Sequence, residues 1–354
     1  MRYLRLVILA DHTTLRLGGP ARRSVVATTD VELVAAVTDS DTRGEPVLVL
    51  GGGSNLFASD DGFDGVVVAV RTRGIGVTER ASSVALEVSA GEDWDALVAH
   101  AVTRNLAGIE ALSGIPGLVG ATPIQNVGAY GQEVKDTIES VRVWDRHERA
   151  TLTLDAAACD FRYRESRLKD EPGRYIVLRA TFVLAKSVQS APIRYAELAR
   201  ALSVRENDRA PLGLVRETVI ALRRTKGMVV DPNDPDSTSA GSFFMNPIVD
   251  RAALAAVEER VRARLGDSVQ IPRFPAASGR IKLPAAWLIE RAGFAKGRGE
   301  GRVGISAKHT LALVNRGGGT TAELLELARE VRAGVESAFG IRLTAEPVLV
   351  GCAL

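Results

Sequence analysis

The spacing of apolar residues changes along the chain, and each change marks an element. Pro46-Val47-Leu48-Val49-Leu50 is a continuous apolar run ending in glycine, the pattern of a strand buried on both faces. Val66–Val70 repeats it, and Ser83–Ala90 alternates as a third strand. Between these runs Val31–Thr38 has helical spacing, with Asp30 as its expected N-cap. In Asp93–Arg104 the residues Trp94, Leu97, Val98 and Ala101 fall on one helical face. Val141–Trp144 and Tyr175–Leu184 read as strands, Pro192–Leu202 as a linker with a short helix, and Arg216–Arg224 as helix. A polar, turn-rich segment, Asp231–Ser237, follows, and the shift in composition places a domain boundary within Ser187–Asp231. Beyond it the pattern predicts helices at Arg251–Leu265 and Ala285–Ala292, a loop at Gly293–Gly304 and a strand at Thr310–Val314. A long amphipathic helix at Thr321–Phe339 and a terminal strand at Ala345–Val350 complete the pattern.

Periodicity fails in one place. From Ser113 to Gly131 Gly, Pro and Asn dominate, and a stretch this long without regular spacing inside a compact domain is usually functional. It holds Gly114, Gly117, Gly120, Gly128 and Gly131, and a second cluster, Gly51-Gly52-Gly53, follows the first buried strand. Clustered glycine lets backbone approach a neighbour closely or adopt positive φ. In Leu50-Gly51-Gly52-Gly53-Ser54-Asn55 successive N–H groups without side chains suit an anion such as a diphosphate. The spacing is neither GxGxxG nor GxxxxGK[ST]. On the residues alone a tight structural turn fits this loop equally. In the longer segment Gln125 and Asn126 carry amides suited to a flat polar ring edge, such as a flavin's, and a structural Ω-loop is the alternative. Two such loops favour one large phosphate-bearing cofactor.

Composition narrows the partners. The 354 residues carry 45 basic and 43 acidic groups, a net charge of +2 that excludes a protein built mainly to coat nucleic acid or anionic lipid. Cys159 and Cys352 have no metal-ligand spacing and are expected as free, buried thiols, with no metal site. The apolar part of Met1–Ala10 is too short for a signal segment, and no run reaches the ~18 residues of a membrane helix. The expectation is a cytoplasmic, monomeric protein acting on a small molecule.

The two glycine segments together resemble the flavin site of the UDP-N-acetylenolpyruvoylglucosamine reductase family, which serves peptidoglycan precursor synthesis. The resemblance runs from Thr13-Thr14-Leu15-Arg16-Leu17-Gly18-Gly19-Pro20-Ala21 to Glu346. Phe161-Arg162-Tyr163-Arg164-Glu165-Ser166, Gly241-Ser242-Phe243-Phe244-Met245-Asn246-Pro247 and Leu343-Thr344-Ala345-Glu346 resemble its three catalytic segments. The resemblance implies an α+β protein: a two-subdomain FAD-binding fold of the vanillyl-alcohol-oxidase/PCMH type with a C-terminal α+β substrate domain. The expected division is 1–70, completed by a C-terminal strand at 341–354, then 71–222, then 223–340.

It also implies the chemistry. NADPH reduces non-covalent FAD, whose N5 delivers hydride to the enolpyruvyl group of UDP-N-acetylglucosamine enolpyruvate, giving UDP-N-acetylmuramate. Arg164 then stabilises the developing enolate, as a planar cation matched to a carboxylate. Glu346 either donates a hydrogen bond while protonated or orients Arg164, and Ser242 supplies the proton. The cofactor residues implied are Gly51, Gly52, Gly53, Ser54, Asn55, Leu56, Ser113, Gly114, Ile115, Pro116, Gly117, Gly120, Ala121, Gln125, Asn126, Gly128, Ala129, Tyr130 and Arg223. Those for the UDP-sugar are Tyr163, Tyr195, Lys226, Asn246 and His309. Tyr195 has two readings: a tyrosine that swings over the nucleotide, as in one subclass of the family, or a core aromatic anchoring its short helix. Three departures from the family pattern, Met245 for Lys, Gly227-Met228-Val229 after Lys226, and Leu15 for Phe, spare Arg164, Ser242 and Glu346. Two alternatives remain at this level: an FAD-dependent oxidase of the same fold, or a non-catalytic UDP-sugar or flavin-binding protein. With no His between His12 and His100, covalent flavin attachment in the first glycine loop is not expected.

Overall fold

In the computed structural model, which describes residues 3–299 and 301–354, the chain forms two units from non-contiguous segments. Met1 and Arg2 of the amino-terminal stretch, and Glu300 of the Gly293–Gly304 loop, lie outside the described residues. The first unit takes the amino-terminal residues through Val7, Ala21–Gly53 and Asp64–Thr225; the second takes Ile8–Pro20, Ser54–Phe63 and Lys226–Leu354.

Two sheets build the first unit. One runs Tyr3–Ile8, Pro20–Ala27, Phe63–Val70, Val47–Leu50, with the last two parallel from Val47 opposite Val66 to Leu50 opposite Ala69. The other is six-stranded around Tyr175–Lys186, which pairs antiparallel with Ile138–Asp145 on one side and Ser83–Ser89 on the other. Helix α1 (Asp30–Thr42) begins where Thr29, not Asp30, accepts the Glu32 N–H. Thr29 is the residue with extended backbone, and Asp30 is already the first helical residue, so the expected cap moves by one. Helix α2 (Trp94–Thr103) is capped by Asp93 and buries Trp94, Leu97, Val98 and Ala101, the face read from the sequence. Trp94 is wholly buried, and its Nε1–H donates to Leu112 O at 3.1 Å, tying the helix start to the irregular segment. Three further helices follow: α3 (Arg167–Asp170), α4 (Ala196–Ala201) and α5 (Leu212–Thr225).

The second unit packs α6 (Arg251–Leu265), α7 (Ala285–Arg291) and α8 (Thr321–Phe339) around an apolar cluster that includes Phe57, Phe243, Phe244 and Phe339. A sheet ordered Ser239–Ser242, Ala312–Asn315, Val303–Ile305 and a parallel pair, Val348–Val350 with Leu56–Ala58, complete its frame. Two expected strands shift: Thr310–Val314 becomes Ala312–Asn315, because His309 O accepts the Ala312 N–H in a turn, and Ala345–Val350 shortens to Val348–Val350. The Gly293–Gly304 loop is closed around Arg316, whose guanidinium donates to the carbonyls of Gly297, Gly299, Gly301, Val303 and Ile305. It is therefore not the loosely held surface loop that its composition suggests. Cys159 is buried as expected, but Cys352 is only half-buried, with its Sγ 3.7 Å from Phe57 O; both are free. No helix among the described residues is long and apolar enough to cross a membrane.

Gly19 shows how tightly the second unit is closed. A Cβ there would strike Asp60 O and lie 2.7 Å from Gly62 N, atoms of backbone that cannot swing aside. Gly19→Ala is expected to lower the unfolding free energy by about 1–3 kcal/mol in urea titrations. Gly213→Ala, where a Cβ meets nothing within 4 Å, should leave stability unchanged or raise it by about 0.5–1 kcal/mol, as a glycine lost from helix α5.

Candidate active site

In the first unit the two glycine segments meet. A Cβ on Gly52 would lie 2.8 Å from Gly117 Cα, and one on Gly120 would lie 2.5 Å from Ala90 Cβ. Gly114 (φ 71°), Gly117 (φ 120°) and Gly131 (φ 82°) all use backbone that side chains rarely adopt. Residues 92–95 hold the second segment. Val119 N–H donates to Glu92 O (2.9 Å), Trp94 N–H to Gly117 O (3.1 Å), and Gly114 N–H to Asp95 Oδ1 (2.6 Å). Ser113 is buried, Ile115, Pro116 and Gln125 are half-buried, and Ala121 is exposed.

Asn126 needs a correction. It is fully buried, its Nδ2 donates to Glu133 Oε2 and Arg162 O, both at 2.9 Å, and its Oδ1 accepts from Lys135 N at 3.2 Å. An amide engaged on three sides within the protein cannot present itself to a ring edge. Asn126 instead shapes the loop, with a φ of 44°.

That shape bears on Arg164. Tyr163 and Arg164 form the tip of a tight hairpin closed by Arg162 N–H to Glu165 O (2.9 Å) and Glu165 N–H to Arg162 O (3.2 Å). Arg164 takes a left-handed φ of 57°, and Lys169 Nζ holds its carbonyl at 2.9 Å. Its Nη2 donates to Gly128 O at 2.6 Å and its Nη1 reaches Asn126 O at 3.4 Å. The glycine segment thus positions the guanidinium through its carbonyls. A Cβ on Gly128 would lie 2.9 Å from Gln132 O, so backbone excludes a side chain there, and 3.1 Å from Arg164 Nη1.

Tyr130, with Ala129 half-buried before it, meets Tyr195 edge-to-face at 5.5 Å between ring centres. Tyr195 is 44% exposed, which removes the reading of a core aromatic. Burial pushes the Tyr130 hydroxyl up to about 12, against the opposing pull of the Arg223 charge. Arg223, on α5, is nearly buried, and burial lowers its guanidinium to about 10. Two turns earlier on α5, Arg216 pairs with both oxygens of Asp95, at 2.7 and 2.8 Å. The sequence reading passed over Asp95 and Arg216; the seven-residue spacing of Arg216 and Arg223 on one helix was the available signal.

The second unit brings other motif residues together. Ser242 ends the strand Ser239–Ser242 opposite Ala312, with Phe243 N–H on Leu311 O at 2.7 Å. Phe244 bridges to Ala345, Met245 N–H donates to Thr344 O (3.0 Å), and Glu346 N–H donates to Phe243 O (2.9 Å). Ser242 and Glu346, distant in sequence, therefore flank one antiparallel bridge, and both are half-buried. The buried rings of Phe57, Phe243 and Phe244 lock it, with centroids 5.5 and 5.1 Å apart in successive edge-to-face pairs. Asn55 joins the same group: its carbonyl accepts from Val348 N–H (2.9 Å) and its Nδ2 reaches Glu346 O at 3.4 Å. Leu56 is buried and strand-paired, so its side chain serves the core.

The expected substrate residues in this unit are also fixed by backbone. Asn246 Oδ1 accepts from Ala285 N at 2.9 Å, at the start of α7. Gly227, after Lys226, has φ 65° and leaves room for Asp236 O, which a Cβ would meet at 2.9 Å; the departure from the family pattern is accommodated by that contact. Asp236 Oδ1 accepts from Ala307 N (3.1 Å), and His309 N–H donates to Ser306 Oγ (3.2 Å).

A backbone cradle without side chains and a nearly buried arginine fit a large cofactor bearing a diphosphate. A family model described as an FAD binding domain matches residues 21–151, so the chain is a flavoprotein of the FAD-binding class. A second model, the C-terminal domain of UDP-N-acetylenolpyruvoylglucosamine reductase, matches residues 232–350. UDP-N-acetylenolpyruvoylglucosamine reductase of Thermobifida fusca is 56% identical over 99% of both chains. The Streptomyces coelicolor enzyme of that name is 56% identical over 98% of this chain and 90% of its own. The crystal structure of the Thermus caldophilus reductase superposes with a TM-score of 0.66 at 26% identity, covering 99% of both chains. The chain belongs to the UDP-N-acetylenolpyruvoylglucosamine reductase family.

Gly52→Ala tests the cradle. Forcing Gly52 and Gly117 apart should weaken FAD binding about tenfold or more, read by fluorescence titration of the apo-protein, and lower its unfolding free energy by about 1–3 kcal/mol. Unchanged FAD affinity would mean that the approach of the two loops is structural only.

Proposed function

We propose that the chain is the cytoplasmic enzyme that reduces the enolpyruvyl group of UDP-N-acetylglucosamine enolpyruvate to UDP-N-acetylmuramate, using NADPH and bound FAD. The observation that supports the reading is the Phe244–Ala345 bridge, which brings the segments carrying Ser242 and Glu346 together, with Asn55 of the first glycine loop attached to it. FAD, when bound, is the carrier that takes two electrons from NADPH and passes them to the carbon–carbon double bond.

The residues of this chain have the remaining work. Saturating the double bond requires one hydrogen with its electron pair and one proton. Ser242 Oγ supplies the proton to the carbon beside the carboxylate, and solvent restores it. A serine hydroxyl is a weak acid, so the transfer needs a basic acceptor, and the enolate that develops at that carbon is one. Arg164 stabilises that enolate. The Gly128 and Asn126 carbonyls hold its planar guanidinium fork in place before charge develops, so little reorganisation is required. Glu346 acts on the same carboxylate, where a protonated carboxyl can donate a hydrogen bond without adding repulsion. Lys226, Asn246 and His309 are assigned to the UDP-sugar, with Tyr163 and the exposed Tyr195. Lys226 contributes a compact cation suited to phosphate oxygens.

The assignment is tested by separating the half-reactions. Ser242→Ala should still bleach its flavin with NADPH at close to the wild-type rate. Re-oxidation by the enolpyruvyl substrate should slow by about 100-fold or more, the scale of a lost general acid. Equal losses in both halves would mean that Ser242 supports the fold instead. A protein re-oxidised by O₂ alone would defeat the whole reading. Glu346→Gln, which can still donate a hydrogen bond, should retain more substrate turnover than Glu346→Ala; equal loss would overturn the neutral-donor role.

A further inference from the structure

One polar group outside the proposed chemistry ties a helix start to the glycine segment: Asp95. It lies in the first turn of α2, directly after Asp93, the helix cap, and Trp94. Its Oδ1 accepts from Gly114 N–H at 2.6 Å and from Arg216 Nη1 at 2.7 Å, while Oδ2 accepts from Arg216 Nη2 at 2.8 Å. Arg216 Nη1 also reaches Ser113 Oγ at 3.1 Å, and that hydroxyl donates to Glu110 O at 2.7 Å. The pair therefore fixes the Ser113-Gly114 corner of the turn whose other end, Gly117, abuts Gly52. Burial opposes the Asp95 charge, but hydrogen bonds from Arg216 and the Gly114 amide outweigh it and hold its carboxyl below the usual range.

We propose that Asp95 and Arg216 are positioning residues for the cofactor: Asp95 sets the conformation of the Ser113–Gly117 turn, and Arg216 cancels the carboxylate charge that would otherwise repel the cofactor's diphosphate. The proposal rests on the reading that this turn holds FAD. A carboxylate is the best acceptor for shaping a glycine turn through its N–H. It is also the wrong charge to leave beside an anionic ligand, and the side chain is only half-buried, so its field is not confined. Arg216 resolves the conflict by pairing both oxygens at once. Removing the two partners should then have unequal effects. Without Arg216 the turn keeps its Gly114 N–H anchor on Asp95 but carries an uncancelled negative charge; without the carboxylate that anchor is lost while an additional cation faces the diphosphate.

The test is FAD affinity of the apo-protein at low and high salt, beside the unfolding midpoint of the same preparations. Arg216→Gln is expected to weaken FAD binding about tenfold or more at low salt, with part of the loss recovered at high salt, where surface charges are screened. Asp95→Asn should weaken it less, and the double variant should bind no worse than Arg216→Gln alone, because the repelling charge has gone. Arg216→Lys, which keeps the charge, should bind more tightly than Arg216→Gln. Additive losses that ignore salt and follow the unfolding midpoint would overturn the proposal in favour of a purely structural pair. Unchanged affinity in all variants, beside wild-type protein that binds FAD, would overturn it and leave the cofactor reading standing. Wild-type protein that takes up no FAD would defeat both.

Discussion

Everything proposed for the first unit depends on two stretches of bare backbone coming within van der Waals distance. Gly52 and Gly117 leave no room between them for a single methyl group. Such contact exposes N–H groups that have no side chain to shield them, and those groups must find an acceptor in water, in protein or in a ligand. The surrounding residues hold this arrangement from several sides: Trp94 through Leu112 and Gly117, Asp95 through Gly114, and Glu92 through Val119. The start of one helix thereby determines the path of the irregular segment. The cost of ordering so many glycines is met by a clamp of ordinary hydrogen bonds.

The same segment reaches into the chemistry. Its carbonyls at Asn126 and Gly128 take hold of Arg164, so the proposed cofactor cradle and the proposed catalytic cation share one piece of chain. A displacement of the loop would move both. In the second unit the corresponding economy is the bridge between Phe244 and Ala345, where one backbone contact brings the segments of Ser242 and Glu346 together and three buried rings prevent slippage. Precision comes in both cases from backbone pairing, which tolerates less variation than side-chain packing alone.

Local pattern carried most of what could be read without coordinates. Helices α6 and α8 were legible to the residue, because their apolar stripes are long and α8 opens with Thr320 and Glu323 in a capping box. The strand Val47–Leu50 announced itself by its apolar run, but it lies at a sheet edge with only Leu50 buried, not buried on both faces as the run implied. Elements built on two or three residues were not legible, nor was the capture of 8–20 and 54–63 by the C-terminal unit, since long-range pairing leaves no periodic trace. Among site residues, the glycines were legible as a cluster and the motif residues through family resemblance. The inward role of Asn126 was not, because composition cannot tell which way an amide faces. Asp95 was equally hidden: a carboxylate beside a helix cap looks like ordinary first-turn charge until its partner three helices further along the chain is known.

The interleaving of the chain has a consequence for the order in which the protein can assemble. The frame of the second unit includes Leu56–Ala58 paired with Val348–Val350, one strand from early in synthesis and one from its end. The first unit has all its segments once Thr225 has been made. On a ribosome the cofactor cradle at Gly52 and Gly117 can therefore close well before the Ser242–Glu346 bridge has both halves. Until then Phe57 lacks Phe243, the ring it packs against, and remains an apolar side chain awaiting its partner.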